Sequence, residues 1–332
     1  MASSGAFARF VVLLEHMDSA RPHLLRILTY HRVEWGHATP PPPPGVATPP
    51  DAFAEQMSYV QRHYRVVTVE ELIDVVKRGR RLPPRAALIT FDDGYQDFRD
   101  QAWPVMRSLG LPVVLFVPTA FPGDPERFFW WERLHHAITS TERRDALETL
   151  AGRFPLGTAR ERADAYARLR AYVKRMPHAQ VMEWVEAACR DLGVTPAPPP
   201  ILGWDALREL ARQGVSISSH TRTHPLLTRI PIEEARAEVT GSLRDLEREL
   251  GKALPILAYP AGAFDDQVVR MLEEEGIVLG FTTVRGVNDL DRAHPLRLRR
   301  INVGQRTSLP ALRAQLAGHS VGLNRFHPLV AR

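Results

Sequence analysis

Cysteine is almost absent. A single Cys189 among 332 residues excludes an internal disulfide framework and gives no sign of a cysteine-based metal site. Set among Val185, Ala187 and Ala188, it reads as a small buried hydrophobe. Long apolar runs are missing too: the longest fall far short of the about 20 residues a membrane-spanning helix needs. The run Phe10-Val-Val-Leu-Leu14 is too short for a secretory segment and is followed at once by Glu15, His16 and Asp18. The expectation is therefore a cytoplasmic protein, although a misassigned start codon would hide a signal peptide. A strong charge of one sign is also lacking. The net charge of +5 comes from basic residues dispersed among acids, as in Glu142-Arg-Arg-Asp145, and the densest basic run, Arg297-Leu-Arg-Arg300, is broken by leucine. Solvated helix faces and a half-buried strand account for these, so no nucleic-acid partner is expected.

What is present is a rhythm of strand and helix. Apolar and β-branched runs predict strands at 24–30, 65–68, 86–91, 111–117, 215–219, 255–259, 277–282 and 299–303. Between them, helical spacing appears at 51–64, 69–79, 95–109, 204–212, 231–250, 266–275 and 309–316. Such alternation implies parallel strands joined by crossovers. The prolines at 40–44 predict a stiff extended connector. The rhythm breaks at about residues 123–200, a charged stretch that opens with Phe128-Phe-Trp-Trp131 and closes on the prolines at 196–200. It reads as an all-helical insertion in a single domain spanning 1–332, with Trp130 and Trp131 as core residues rather than ligand-stacking ones.

Chemistry concentrates where strands end. In Leu88-Ile-Thr-Phe-Asp-Asp-Gly94 a buried strand runs into two carboxylates and a glycine. Neighbouring strand residues face opposite ways, so Asp92 and Asp93 share a site only where the chain turns; the plainer alternative is helix N-capping. The strand at 24–30 delivers His31 in the same manner. His220 and His224 are four residues apart, but Pro225 disfavours a helix at His224 and places both on a turn beyond a strand. Two imidazoles and a carboxylate at strand C-terminal ends would form a facial triad with open positions for water and substrate.

Thr90-Phe-Asp-Asp93, Ser219-His-Thr-Arg-Thr-His224 and Tyr259-Pro-Ala-Gly262, in that order, resemble the first three motifs of the polysaccharide deacetylases of the NodB homology type, carbohydrate esterase family 4. The early Leu28-Thr-Tyr-His31 resembles the start of the circularly permuted branch that de-N-acetylates poly-N-acetylglucosamine. The resemblance implies an α/β fold, a distorted (β/α)7-type barrel, and a metal-dependent hydrolase that removes N-acetyl groups from an N-acetylhexosamine glycan or glycolipid. It also implies roles. Asp93, His220 and His224 would hold one divalent metal, foremost Zn2+, with Co2+, Ni2+ or Mn2+ as alternatives. Asp92 would be the general base, and the Ala261 backbone N–H would face the developing oxyanion. The family's late Leu-x-His motif is missing, so His31 is assigned to protonate the leaving amine. Ala258 stands where the third motif has a base-orienting arginine, which makes Arg300 the candidate substitute. Three other readings remain: an O-acetyl esterase, an Fe(II) oxygenase and an inactive glycan-binding relative.

Overall fold

The computed structural model describes residues 23–34, 42–124, 127, 129–195 and 201–318. The apolar run at 10–14, the start of the proline run at 40–44, Phe128 and the prolines at 196–200 lie outside them.

Seven parallel strands close on themselves in chain order: β1 (Leu24–Tyr30), β2 (Ala86–Phe91), β3 (Val114–Val117), β4 (Ser216–Ser219), β5 (Ile256–Ala258), β6 (Leu279–Arg285) and β7 (Leu298–Asn302). The ring shuts through β7 on β1, with Leu28 opposite Ile301. β1 and β2 pair along five residues, from Arg26 opposite Ala87 to Tyr30 opposite Phe91. β4 and β5 meet only at Ser219 and Leu257, and the β6–β7 register shifts between Phe281 and Arg285. Those two irregularities are the distortion of the barrel.

Strand alternation sorts the core into two shells. Ile27, Leu88, Phe116, Ala258, Phe281 and Leu298 belong to one cluster drawn from strands around the whole ring. Phe116 and Phe281, on non-adjacent strands, stand 5.1 Å apart between ring centroids, so this cluster fills the barrel. Residues of opposite parity, such as Tyr30, Ile89, Phe91 and Leu115, pack outward on the helices.

Those helices are α1 (Pro50–His63), α2 (Val69–Arg78), α3 (Trp103–Ser108), α7 (Trp204–Arg212), α8 (Ile232–Leu250), α9 (Asp266–Glu274) and α10 (Leu309–Leu316), with α4 to α6 in the insertion. α2 starts on a capping box between Thr68 and Glu71 and stops at Gly79 in the left-handed region. The helix expected over 95–109 is split instead. A π turn at Phe98–Ala102 precedes α3, because Pro104 has no N–H to continue the ladder.

The insertion comprises α4 (Trp130–Ser140), α5 (Ala159–Val173) and α6 (His178–Asp191) around a core of its own, in which Cys189 is buried beside Leu134, Phe154 and Leu169. It is not all-helical. Ala146–Thr149 and Gly152–Pro155 form an antiparallel hairpin whose Leu147 and Phe154 point into that core. No helix among the described residues is long and apolar enough to cross a membrane.

Candidate active site

Alternation along β2 carries Leu88, Thr90 and then Asp92 to the barrel interior, and Asp92 emerges at the C-terminal mouth. From β7, Arg300 reaches the same point. Its Nη1 and Nη2 donate to Asp92 Oδ1 and Oδ2 at 2.8 and 2.7 Å, and its Nε donates to the Thr282 carbonyl at 2.7 Å. Arg300 is 0% exposed and Asp92 2%, a depth that an ion tolerates only when paired and hydrogen-bonded. Burial alone would raise the Asp92 carboxyl. The Arg300 fork, with His220 and His31 nearby, instead holds it well below the usual carboxylate range. Asp92 is therefore an ionised acceptor spent on an ion pair, not a helix cap.

One residue later the chain turns sharply. Asp93 has φ 77° and Gly94 φ 71°, where a Cβ on Gly94 would stand 3.3 Å from Val117. The turn swings the Asp93 carboxylate toward the end of β4. There His220 donates from Nδ1 to the Ala258 carbonyl at 2.8 Å, which aims its Nε2 at Asp93 Oδ1, 3.5 Å away. His224 brings its own Nε2 to the same oxygen, again at 3.5 Å. One ligand atom from each of Asp93, His220 and His224 lies within 4.8 Å of the other two. Burial, then the neighbouring His220, holds the His224 imidazole down at about 3, so it is neutral with a free electron pair. His220 is raised, because the Asp93 hydrogen bond and the Asp92 charge outweigh its burial; a divalent cation would occupy the place of that proton. A carboxylate and two imidazoles suit zinc-like divalent ions, so the donor set fits the metal that the motifs imply.

The loop that returns His224 is fixed from outside. Glu238 on α8 accepts from the Arg222 and Thr223 amides at 2.9 and 2.8 Å and from the Thr223 hydroxyl at 2.8 Å. The His224 amide donates to Thr221 Oγ1 at 3.1 Å. Six non-glycine residues among those described have positive φ, and four of them are Asp93, Thr221, His224 and Ala261. Each left-handed residue costs about 1–2 kcal/mol. Their clustering at one end of the barrel is the strain that functional sites retain.

The remaining predicted residues converge on the same mouth. His31 Nε2 is 4.0 Å from Asp92 Oδ2, with 29% of the side chain exposed. Ala261 lines the cavity at φ 51°, on a turn docked so tightly against β6 that a Cβ on Gly262 would fall 2.1 Å from Thr283 Oγ1. Over the mouth lies the insertion. Trp131 stands 4.9 Å from the His224 ring and Trp130 5.6 Å from Trp131, and both line the cavity half-buried. Trp130 also packs on the insertion's core and Trp131 on the cluster of Tyr95, Phe121 and Phe129, so the expected core role holds in part and the cavity face is added to it. The first turn of α4 lies across the strand ends, so its aromatic face meets the loop that carries His224. Behind them, the Tyr95 hydroxyl donates to Glu132 at 2.9 Å, and Arg32 lies 3.8 Å from Glu132 and 2.9 Å from Asp97. Burial pushes Glu132 up to about 7 against the attraction of Arg32. Glu132 and Glu238 had no signal in the sequence: Glu238 is one of several acids on α8, and Glu132, the single acid of α4, stands in no motif.

The polysaccharide deacetylase family matches residues 79–280, more than half of the chain. The chain belongs to that family. YxkH of Bacillus subtilis (strain 168) is 20% identical over 277 residues, 83% of this chain and 70% of that protein. The poly-beta-1,6-N-acetyl-D-glucosamine N-deacetylase of Escherichia coli (strain K12) is 31% identical over 64 residues, 19% of this chain and 10% of the longer protein. Among solved structures, the deacetylase PplD of Streptococcus pyogenes, in complex with acetate, superposes with a TM-score of 0.61 at 18% identity. That likeness covers 89% of this chain and 99% of PplD. IcaB from Ammonifex degensii gives 0.56 at 19% identity, over 89% and 98%. Both likenesses concern the fold: the closed seven-stranded α/β barrel is the one this deacetylase family member shares with them.

Proposed function

We propose that this family member is a metal-dependent deacetylase that removes N-acetyl groups from an N-acetylhexosamine-containing glycan or glycolipid. The observation that carries the reading is the juxtaposition of a complete Asp93, His220 and His224 donor set with an ionised Asp92 locked by Arg300. A divalent cation held by the triad, Zn2+ in our reading, would acidify the attacking water and polarise the acetyl carbonyl. Asp92 is the base that accepts the water proton, and Arg300 fixes its orientation. His31, across from Asp92 and partly open to solvent, gives a proton to the departing amine nitrogen. The Ala261 N–H faces the carbonyl oxygen as negative charge develops. Proton and oxygen then balance: one water is consumed, the C–N bond breaks, and acetate and a free amine result.

The test begins with the metal content of the purified full chain and of His224→Ala. Stoichiometric divalent metal that falls away in the variant, together with acetate and equimolar new amine from N-acetylglucosamine oligomers, is the expected result. Acetate without amine would replace the reading by O-acetyl esterase activity. Iron as the bound metal would revive an oxygenase. Neither metal after zinc reconstitution nor acetate would leave a glycan-binding relative.

A further inference from the structure

Three cations without counter-ions line the cavity over the triad: Arg170 and Lys174 at the end of α5, and Arg229 beyond β4. Many arginines elsewhere are paired, as with Arg143 and Asp145, Arg208 and Glu249, or Arg236 and Glu274, and described ones without an ion pair, such as Arg81, Arg160 and Arg244, stand exposed on the surface, so what sets these three apart is the one cavity they share. Among the described residues, these three have neither an ion pair nor a side-chain hydrogen bond. The carboxylates of the cavity are not available to them, because Asp92 is engaged by Arg300 and Asp93 belongs to the triad. The helix dipole accounts for a cation in a last turn. It does not account for two like charges four residues apart, both turned into one cavity, an arrangement that destabilises a helix. Burial, then the Arg170 charge, lowers the Lys174 ammonium to about 8, so the arrangement carries an electrostatic cost.

Tyr166 continues the same stripe one turn earlier. It is 4% exposed and lines the cavity, and its buried hydroxyl has no partner. Leaving a buried hydroxyl unpaired is unfavourable, and an acceptor from a ligand would relieve it. The same wall carries Val173, Met176 and Trp130, apolar surface suited to the faces of a sugar ring.

We infer that Tyr166, Arg170 and Lys174, with Arg229, bind an anionic substituent of the saccharide, a phosphate or a carboxylate, so that the substrate is a charged acetylated sugar rather than a neutral homopolymer. The inference rests on the deacetylase reading of the site and assigns to the insertion the choice of substrate.

Equilibrium binding tests it without turnover. Calorimetry on the zinc-reconstituted full chain compares N-acetylglucosamine, N-acetylglucosamine 1-phosphate and N-acetylmuramic acid. At least one charged sugar is expected to bind tenfold or more tightly than the neutral one. Preference for N-acetylglucosamine 1-phosphate identifies phosphate, and preference for N-acetylmuramic acid a carboxylate. Arg170→Gln combined with Lys174→Gln is expected to abolish the preference with zinc content unchanged and the melting temperature no lower than that of the native protein, whereas Lys174→Arg keeps the preference. Equal affinity for all three sugars in the native protein overturns the inference. So does a preference that survives undiminished in the double variant, since the anion would then be held without Arg170 and Lys174. Acetate release with equal affinities would sink only the anion site; preference without zinc or acetate release would sink only the deacetylase reading.

Discussion

Arg300→Lys tests the orienting role proposed for Arg300. The guanidinium gives Asp92 two hydrogen bonds at 2.8 and 2.7 Å, and an ammonium cannot reproduce that planar fork. A hydrogen bond to a charged group contributes about 1.5–3 kcal/mol, and one pH unit corresponds to about 1.36 kcal/mol. Losing one of the two should therefore move the acid limb of the activity profile upward by about 1–2 units and lower kcat by at least about tenfold. Arg300→Met removes both bonds and leaves a buried carboxylate uncompensated, a loss of about 3–5 kcal/mol. The sign of the pH dependence is fixed. Asp92 has a depressed folded-state pKa, so its stabilisation is present above its unfolded value of about 3.9 and is lost as pH falls toward the folded value. In Arg300→Met burial acts on Asp92 without that counter-charge and raises its value, so the gap in melting temperature between native protein and variant should be widest at high pH and shrink as pH falls. Acetate release and thermal denaturation between about pH 3 and 8, with zinc content as a control, measure both. An Arg300→Lys protein with native kcat/KM and an unmoved acid limb would refute the orienting role.

His31→Ala should retain metal while losing about 10²–10⁴ in turnover; loss of metal instead would make His31 a ligand rather than an acid. Ala261→Gly keeps the backbone N–H and relieves a positive φ, so activity should persist. Loss of activity in that variant would show that the Ala261 side chain, not its N–H, matters there. Glu132 has a raised folded-state pKa of about 7, so its contribution is full below its unfolded value and is lost as pH rises from about 4.5 to 7. Glu132→Gln should flatten the melting curve over that window, with the similarly raised Asp97 supplying what slope remains; an unaltered slope would show that the Tyr95 and Arg32 contacts do not depend on Glu132 ionisation.

Much of the barrel was legible because its information is local. The strands at Leu24–Tyr30 and Ala86–Phe91 are uninterrupted apolar and β-branched runs, and the helices at Trp204–Arg212 and Leu309–Leu316 are bounded by their own spacing. Pro225 correctly argued against a helix at His224, whose φ of 61° lies on a turn. The hairpin within the insertion was hidden by its brevity: two four-residue strands with little alternation do not stand out in a charged segment. Trp130 and Trp131 were legible only in part, because an aromatic cluster reads the same whether it faces a core or a cavity, and the placement of α4 over the strand ends adds the cavity face.

By itself the sequence determined the strand rhythm, the turns that end β2 and β4, and the residue types delivered there, since each depends on neighbours a few positions away. Only closure of the barrel brought Arg300 onto Asp92 across 208 residues, set Glu238 beneath the His224 loop, and laid Tyr166, Arg170 and Lys174 over the triad. Those contacts have no periodicity to announce them. They exist because a ring of parallel strands gathers all its C-terminal ends at one mouth, where burial makes each charge find its partner or leaves it turned toward a ligand.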